Sequence, residues 1–152
     1  MSNILYTQST IMDTKMNLTF KEKSLLIQSV ILVLLFGAYF IKVLPLNAQT
    51  ISSEIVTQMI FMVIALVVLM IIGHILAVIG ELPEASDERD KLIALKASQV
   101  SSAILASGVV IAIMYSLKME GNFWSVHILL IALVLSEVTN KVLQLFFYRR
   151  GL

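Results

Sequence analysis

The strongest set of polar side chains inside an apolar stretch is Glu137, Asn140, Lys141 and Gln144. A charge near the middle of a membrane costs ~2.5–3.5 kcal/mol on insertion scales, so such residues are the first place to look for function. Glu137 and Lys141 are four apart in the acid-first order that a helix pairs best. Counted back from Arg149, Lys141 lies ~12 Å and Glu137 ~18 Å along a helix axis. Two chemistries follow. A neutralised pair would orient its helix toward the interior of a bundle, whereas a lone Glu137 would be a proton or cation site, for which Lys141 is a competitor. His74, in an earlier apolar stretch, lies at a similar depth and is expected to reach Glu137 or Asn140 across the bundle. His127 sits at the opposite depth, so the two histidines do not make a pair of axial haem ligands.

The second concentration of chemistry is the run Ser86 to Lys96, the only dense charge in the chain. Ser86 or Asp87 can cap a helix, and Glu88 and Asp90 in its first turn complement the positive end of the helix dipole. Arg89 and Lys91 would face water or lipid phosphates. Together Asp87, Glu88, Arg89, Asp90 and Lys91, with Arg149 and Arg150 near the C-terminus, form the expected docking surface for a partner. The bland alternative is a solvated, capped helix start.

Other chemistries find no residues here. There is no Cys, which excludes disulfides, thiolate nucleophiles and sulfur-ligated metals. No phosphate loop, nucleophile elbow, zinc motif or Ser/His/Asp set occurs, so no enzyme, no metal and no cofactor is expected. A net charge of +1 is too small for bulk binding of nucleic acid.

The elements that position these residues are set by hydropathy. Of 152 residues only 14% are charged, against about 25% in a soluble domain, and mean hydropathy is +0.93. Most of the surface must therefore face lipid. Four apolar segments are expected to span it, at about residues 25–44, 55–79, 97–117 and 123–147, each near the ~20 residues a bilayer core requires. Residues 1–17 read as a loose tail, with Met16 an alternative start to Met1, and 18–152 as one transmembrane domain with a hinge over 81–96. A cleavable signal peptide fits less well, because the first apolar stretch exceeds the usual ~7–15 residues. Thr19-Phe20-Lys21-Glu22 has the capping-box pattern before the first span. Gly80-Glu81-Leu82-Pro83 reads as a stop after the second. From Glu88 to about Leu117 the third helix is longer than the bilayer core and should project beyond it. The expected fold is an all-α integral membrane four-helix bundle.

Lys15, Lys21, Lys23, Arg89, Lys91, Lys96, Arg149 and Arg150 fall on one side of these spans, and only Lys42 and Lys118 on the other. The positive-inside rule then places both termini and the hinge in the cytoplasm of a cell with the bundle in its plasma membrane. Ala94, Ser98, Ser102 and Ala106 repeat at four-residue spacing on the third helix, a face expected to be a packing seam of the bundle or of a homodimer. Ala97, Ser101 and Gly108 lie beside it.

The run Asp87-Glu88-Arg89-Asp90 followed by Leu92-Ile93-Ala94-Leu95-Lys96-Ala97, the opening Leu18-Thr19-Phe20-Lys21-Glu22-Lys23 and the ending Tyr148-Arg149-Arg150-Gly151 resemble a prokaryotic domain-of-unknown-function family of small four-span membrane proteins. The resemblance runs from Leu18 to Gly151. It implies a four-span bundle without assigned activity, whose members are often encoded beside a small helix-turn-helix regulator. That would fit a membrane accessory protein that docks a cytoplasmic regulator. The alternative is a small proton-coupled transporter with Glu137 as its coupling carboxylate.

Overall fold

A computed structural model describes residues 19–78 and 87–150 of the chain. The tail 1–17, the stop at 80–83 and the hinge residues 81–86 lie outside them. Helix α1 spans Phe20–Val43 and opens on a complete capping box: Thr19 Oγ1 accepts from the Glu22 amide, and the Glu22 carboxylate accepts from the Thr19 amide at 2.9 Å. Pro45 sits in a short 3-10 turn, Leu44–Leu46, which Asn47 ends in the left-handed region at φ 42°. Helix α2 spans Ser53–Val78. Helix α3 spans Glu88–Lys118, with Asp87 as its cap and Asp90 reaching back to the Asp87 amide. Its 31 residues make ~46 Å of helix, about half as long again as a ~30 Å bilayer core. Helix α4 spans Phe123–Arg150.

The protein is an all-α, integral membrane four-helix bundle, with each helix long and apolar enough to cross a membrane. The helices pack as an open row in the order α2, α1, α4, α3. Helix α1 touches α2 and α4, and α3 lies along α4 over the longest interface. Among the described residues the backbone of α2 approaches neither α3 nor α4. The row buries little of itself: Val63, Val67 and Ile71 on α2 and Val110 and Ile113 on α3 stand outward. In water such faces would drive collapse; in lipid they are already in their preferred solvent.

Two contacts set the α3–α4 seam. Gly108 is level with Ala132, so close that a Cβ on Gly108 would stand 2.0 Å from the Ala132 Cβ. One stretch further, the Ser136 hydroxyl donates to the Ser101 carbonyl at 2.9 Å. These contacts rotate α3 so that Ile93, Ala97, Ser101, Gly108 and Ala112 are buried. Ala94, Ser98, Ser102 and Ala106 are exposed. Within one chain, then, the packing seam is the neighbouring row, because only glycine permits the approach that Gly108 makes. The four-residue repeat faces outward.

Candidate functional site at the charged end

The helix ends divide into a charged end, where α1 and α3 begin and α4 finishes, and a hairpin end, where the α1–α2 loop meets the α3–α4 turn. At the charged end three helices are tied by their ionic residues. Asp90 pairs with Lys21 of α1 and also accepts from the Tyr148 hydroxyl of α4 at 2.8 Å. Glu22, besides closing the α1 cap, faces Arg149 Nε at 3.5 Å. The Asp90 side chain is mostly buried, as is that of Glu22. Asp90 and Tyr148 lie beyond the apolar segments 97–117 and 123–147. The hydrogen bond from Lys21 holds the Asp90 carboxyl down at about 2, with help from the Asp87 amide and Tyr148. Burial, and then the adjacent Asp90 carboxylate, push the Tyr148 phenol up to about 12.

This knot alters the expected docking surface. Asp87 caps its helix, Asp90 is consumed by Lys21 and Tyr148, and Arg149 faces Glu22. Arg150 lies with its guanidinium 4.8 Å from the centre of the Phe146 ring, a cation–π contact at an exposed site. Glu88, Arg89 and Lys91 remain outward on the first turn of α3. From sequence, Lys21, Glu22 and Tyr148 enter through the capping pattern, the placement of basic residues and the C-terminal Tyr-Arg-Arg-Gly run, not as a site; the signal for their meeting is their place at helix ends that converge.

The polar residues of α4 pair along their own helix. Lys141 Nζ donates to Glu137 at 3.0 Å, and Gln144 donates to Asn140 at 3.0 Å. The lysine side chain is 12% exposed and the glutamate 46%. Ser24 and Gln28 of α1 make a third i,i+4 bond at 3.0 Å. His74 does not join this set. Among the described residues the backbone of helix α2 packs on α1 and not on α4, and the His74 ring, itself exposed, meets Phe20 edge-on at 6.3 Å. Depth along the membrane normal was not enough, because α2 and α4 are separated by α1 in the row.

No family model, curated protein or solved structure matches this chain.

At the hairpin end the bonds are neutral, and the two made by His127 are buried. His127 is fully enclosed, stacked parallel to Tyr39 at 5.9 Å between centroids. Its Nδ1 lies 2.6 Å from the Phe123 carbonyl, which can only accept, so Nδ1 carries the proton. Nε2 then accepts from the Tyr39 hydroxyl at 3.0 Å. Above this pair the loops interlock: Trp124 Nε1 donates to Asn47, the Ile51 amide to Asn122, and the Phe123 amide to the Gln49 carbonyl. Gly121, at φ +93°, is required here, since a Cβ would stand 2.0 Å from the Gln49 carbonyl oxygen. Sequence spacing excludes His127 as a haem ligand and carries no sign of its partner Tyr39, 88 positions away.

Proposed function

We propose that this protein is a non-enzymatic membrane accessory or regulatory protein that docks a soluble cytoplasmic partner at its charged end. The observation that carries this reading is the first turn of α3. Glu88, Arg89 and Lys91 are exposed there, on a helix that projects past its apolar segment and is fixed in place by the Asp90–Lys21–Tyr148 knot. A rigid, exposed set of mixed charges favours specific docking, because opposite-sign groups fix register and reject wrong partners. The reading includes the plasma membrane as location and both termini in the cytoplasm, from the placement of Lys and Arg.

The test is a crosslinked pull-down from native membranes that compares wild type with Glu88→Lys/Lys91→Glu. These positions lie outside the knot, so the fold is retained. A soluble protein captured by wild type and lost in the variant supports docking. Equal capture by both ends the idea. The transporter reading is weaker on geometry. Glu137 already has Lys141 at 3.0 Å, and the grooves between helices are lined by apolar side chains. It predicts proton-coupled flux in proteoliposomes that Glu137→Gln abolishes.

A further inference from the structure

One groove between α3 and α4 runs toward a helix end that carries exposed cations which the knot does not use. The groove encloses about 500 Å³ and is open along one side. Val100, Ala103, Ile104 and Ile111 of α3 line it, facing Ile131 and Leu135 of α4. From Val100 to Ile111 it covers ~16 Å, about one leaflet of a ~30 Å hydrocarbon core.

The helical period carries this face up to the charged end. On α3, Arg89, Lys96, Val100, Ala103, Ser107 and Ile111 recur at spacings of seven, four, three, four and four, which is one stripe. Lys96 thus stands one turn above the mouth of the groove, and Arg89 two turns further. On α4, Leu135, Val142 and Phe146 form the matching stripe at seven and four. Phe146 then holds the Arg150 guanidinium over its ring. Arg89, Lys96 and Arg150 are all exposed. Arg149 is instead faced by Glu22. Lys91 falls on the far side of α3, two residues from Arg89 and so about 200° around the helix.

We infer that the α3–α4 groove, with Arg89, Lys96 and Arg150 at its head, binds an anionic phospholipid, with an acyl chain in the groove and the phosphate among the three cations. The apolar lining alone would accept any lipid chain; the cations select the charge of the headgroup. Arginine suits this role because its planar fork pairs two phosphate oxygens at once. The inference does not depend on a docked protein.

The experiment reconstitutes the protein into vesicles of equal parts phosphatidylglycerol and phosphatidylcholine, extracts it, and measures the ratio of lipids that stay bound. Wild type is expected to retain phosphatidylglycerol over phosphatidylcholine by about tenfold to a hundredfold. Arg89→Gln/Lys96→Gln/Arg150→Gln removes that enrichment, with about fivefold per cation as the scale. Lys91→Gln leaves it unchanged. Ala103→Trp, which fills the groove from an exposed position, lowers retained phosphatidylglycerol with all the cations still in place. This arm stands even if the triple variant fails to fold. Equal retention of the two lipids by wild type overturns the site. So does a Lys91→Gln loss as large as that of the stripe cations, which would mean general attraction to the membrane. Undiminished retention by Ala103→Trp removes the groove from the account, and displacement of the lipid by free glycerophosphate would make this a phosphate site without a chain. Either result overturns the proposal.

Discussion

The two ends of the bundle solve the same problem with different chemistry. At the hairpin end α1 and α4 are joined by a neutral, buried hydrogen bond from Tyr39 to His127, whose ring is held by the Phe123 carbonyl of its own helix, while the exposed Trp124–Asn47 bond ties the loops above it. At the charged end α1, α3 and α4 are joined by Lys21–Asp90, Tyr148–Asp90 and Arg149–Glu22, with partly exposed partners. Buried neutral bonds are indifferent to salt and expensive to leave unsatisfied. Ion pairs that keep one partner partly in water, as Lys21 and Arg149 are, contribute modestly and are screened over ~10 Å at 0.1 M salt. The difference teaches that the hairpin end fixes how the row is folded, while the charged end holds three helix termini by contacts that ionic conditions or a binding partner can alter. A docking surface belongs at the second kind of end.

Substitutions can break this contrast, and the largest effect should come from the packed regions. His127→Ala removes two buried hydrogen bonds and leaves a cavity against Tyr39 and Phe123, for an expected loss of about 3 kcal/mol in detergent unfolding. Gly108→Val forces a side chain into Ala132 and should separate α3 from α4 at a similar cost, about 3 kcal/mol, read as lost protection from hydrogen exchange along that seam. Tyr39→Phe keeps the ring and removes one bond, so about 1–2 kcal/mol is expected. Neither His127→Ala nor Tyr39→Phe should change its effect between low and high salt.

Asp90→Asn is expected to cost less, about 1 kcal/mol, and to lose most of that effect in high salt. Its pH dependence has a definite sign. The folded Asp90 carboxyl is held at about 2, below the ~3.9 of an unfolded aspartate, so its contribution is complete above pH ~4 and is lost as pH falls through 2. An acid titration of unfolding should show this loss in wild type and lack it in Asp90→Asn. The smallest expected effect is that of Glu88→Lys/Lys91→Glu, within about 0.5 kcal/mol in stability. A larger loss would show that these residues belong to the knot and would remove the distinction on which the docking surface rests.

Much of the fold was legible because lipid makes sequence and structure agree closely. A chain that must satisfy every backbone group without water reads as helices wherever it is apolar for ~20 residues. Thr19 and Glu22 announced the first cap, and Asp87 and Asp90 the third helix, through local spacing alone. What sequence did not carry was helix order. The row α2–α1–α4–α3 separates His74 from the Glu137–Lys141 pair, although counting along the sequence puts His74 at a depth close to that of Lys141. The rotation of α3 was ambiguous by one residue, since Ala94-Ser98-Ser102-Ala106 and Ala97-Ser101-Gly108 are both rows of small side chains. The approach of Gly108 to Ala132 and the Ser136–Ser101 hydrogen bond decide between them. The knot and the Tyr39–His127 pair join residues 58 to 88 positions apart, beyond any local pattern.

The docking account stands or falls on which side of the membrane the charged end occupies. The chain has no Cys, so single cysteines report cleanly. Glu88→Cys and Lys118→Cys place one thiol at each end, and a membrane-impermeant maleimide is applied to intact cells. The account predicts that Lys118→Cys is labelled and Glu88→Cys is protected until the membrane is opened. Labelling of Glu88→Cys in intact cells, with Lys118→Cys protected, would put the charged end outside and contradict a cytoplasmic partner.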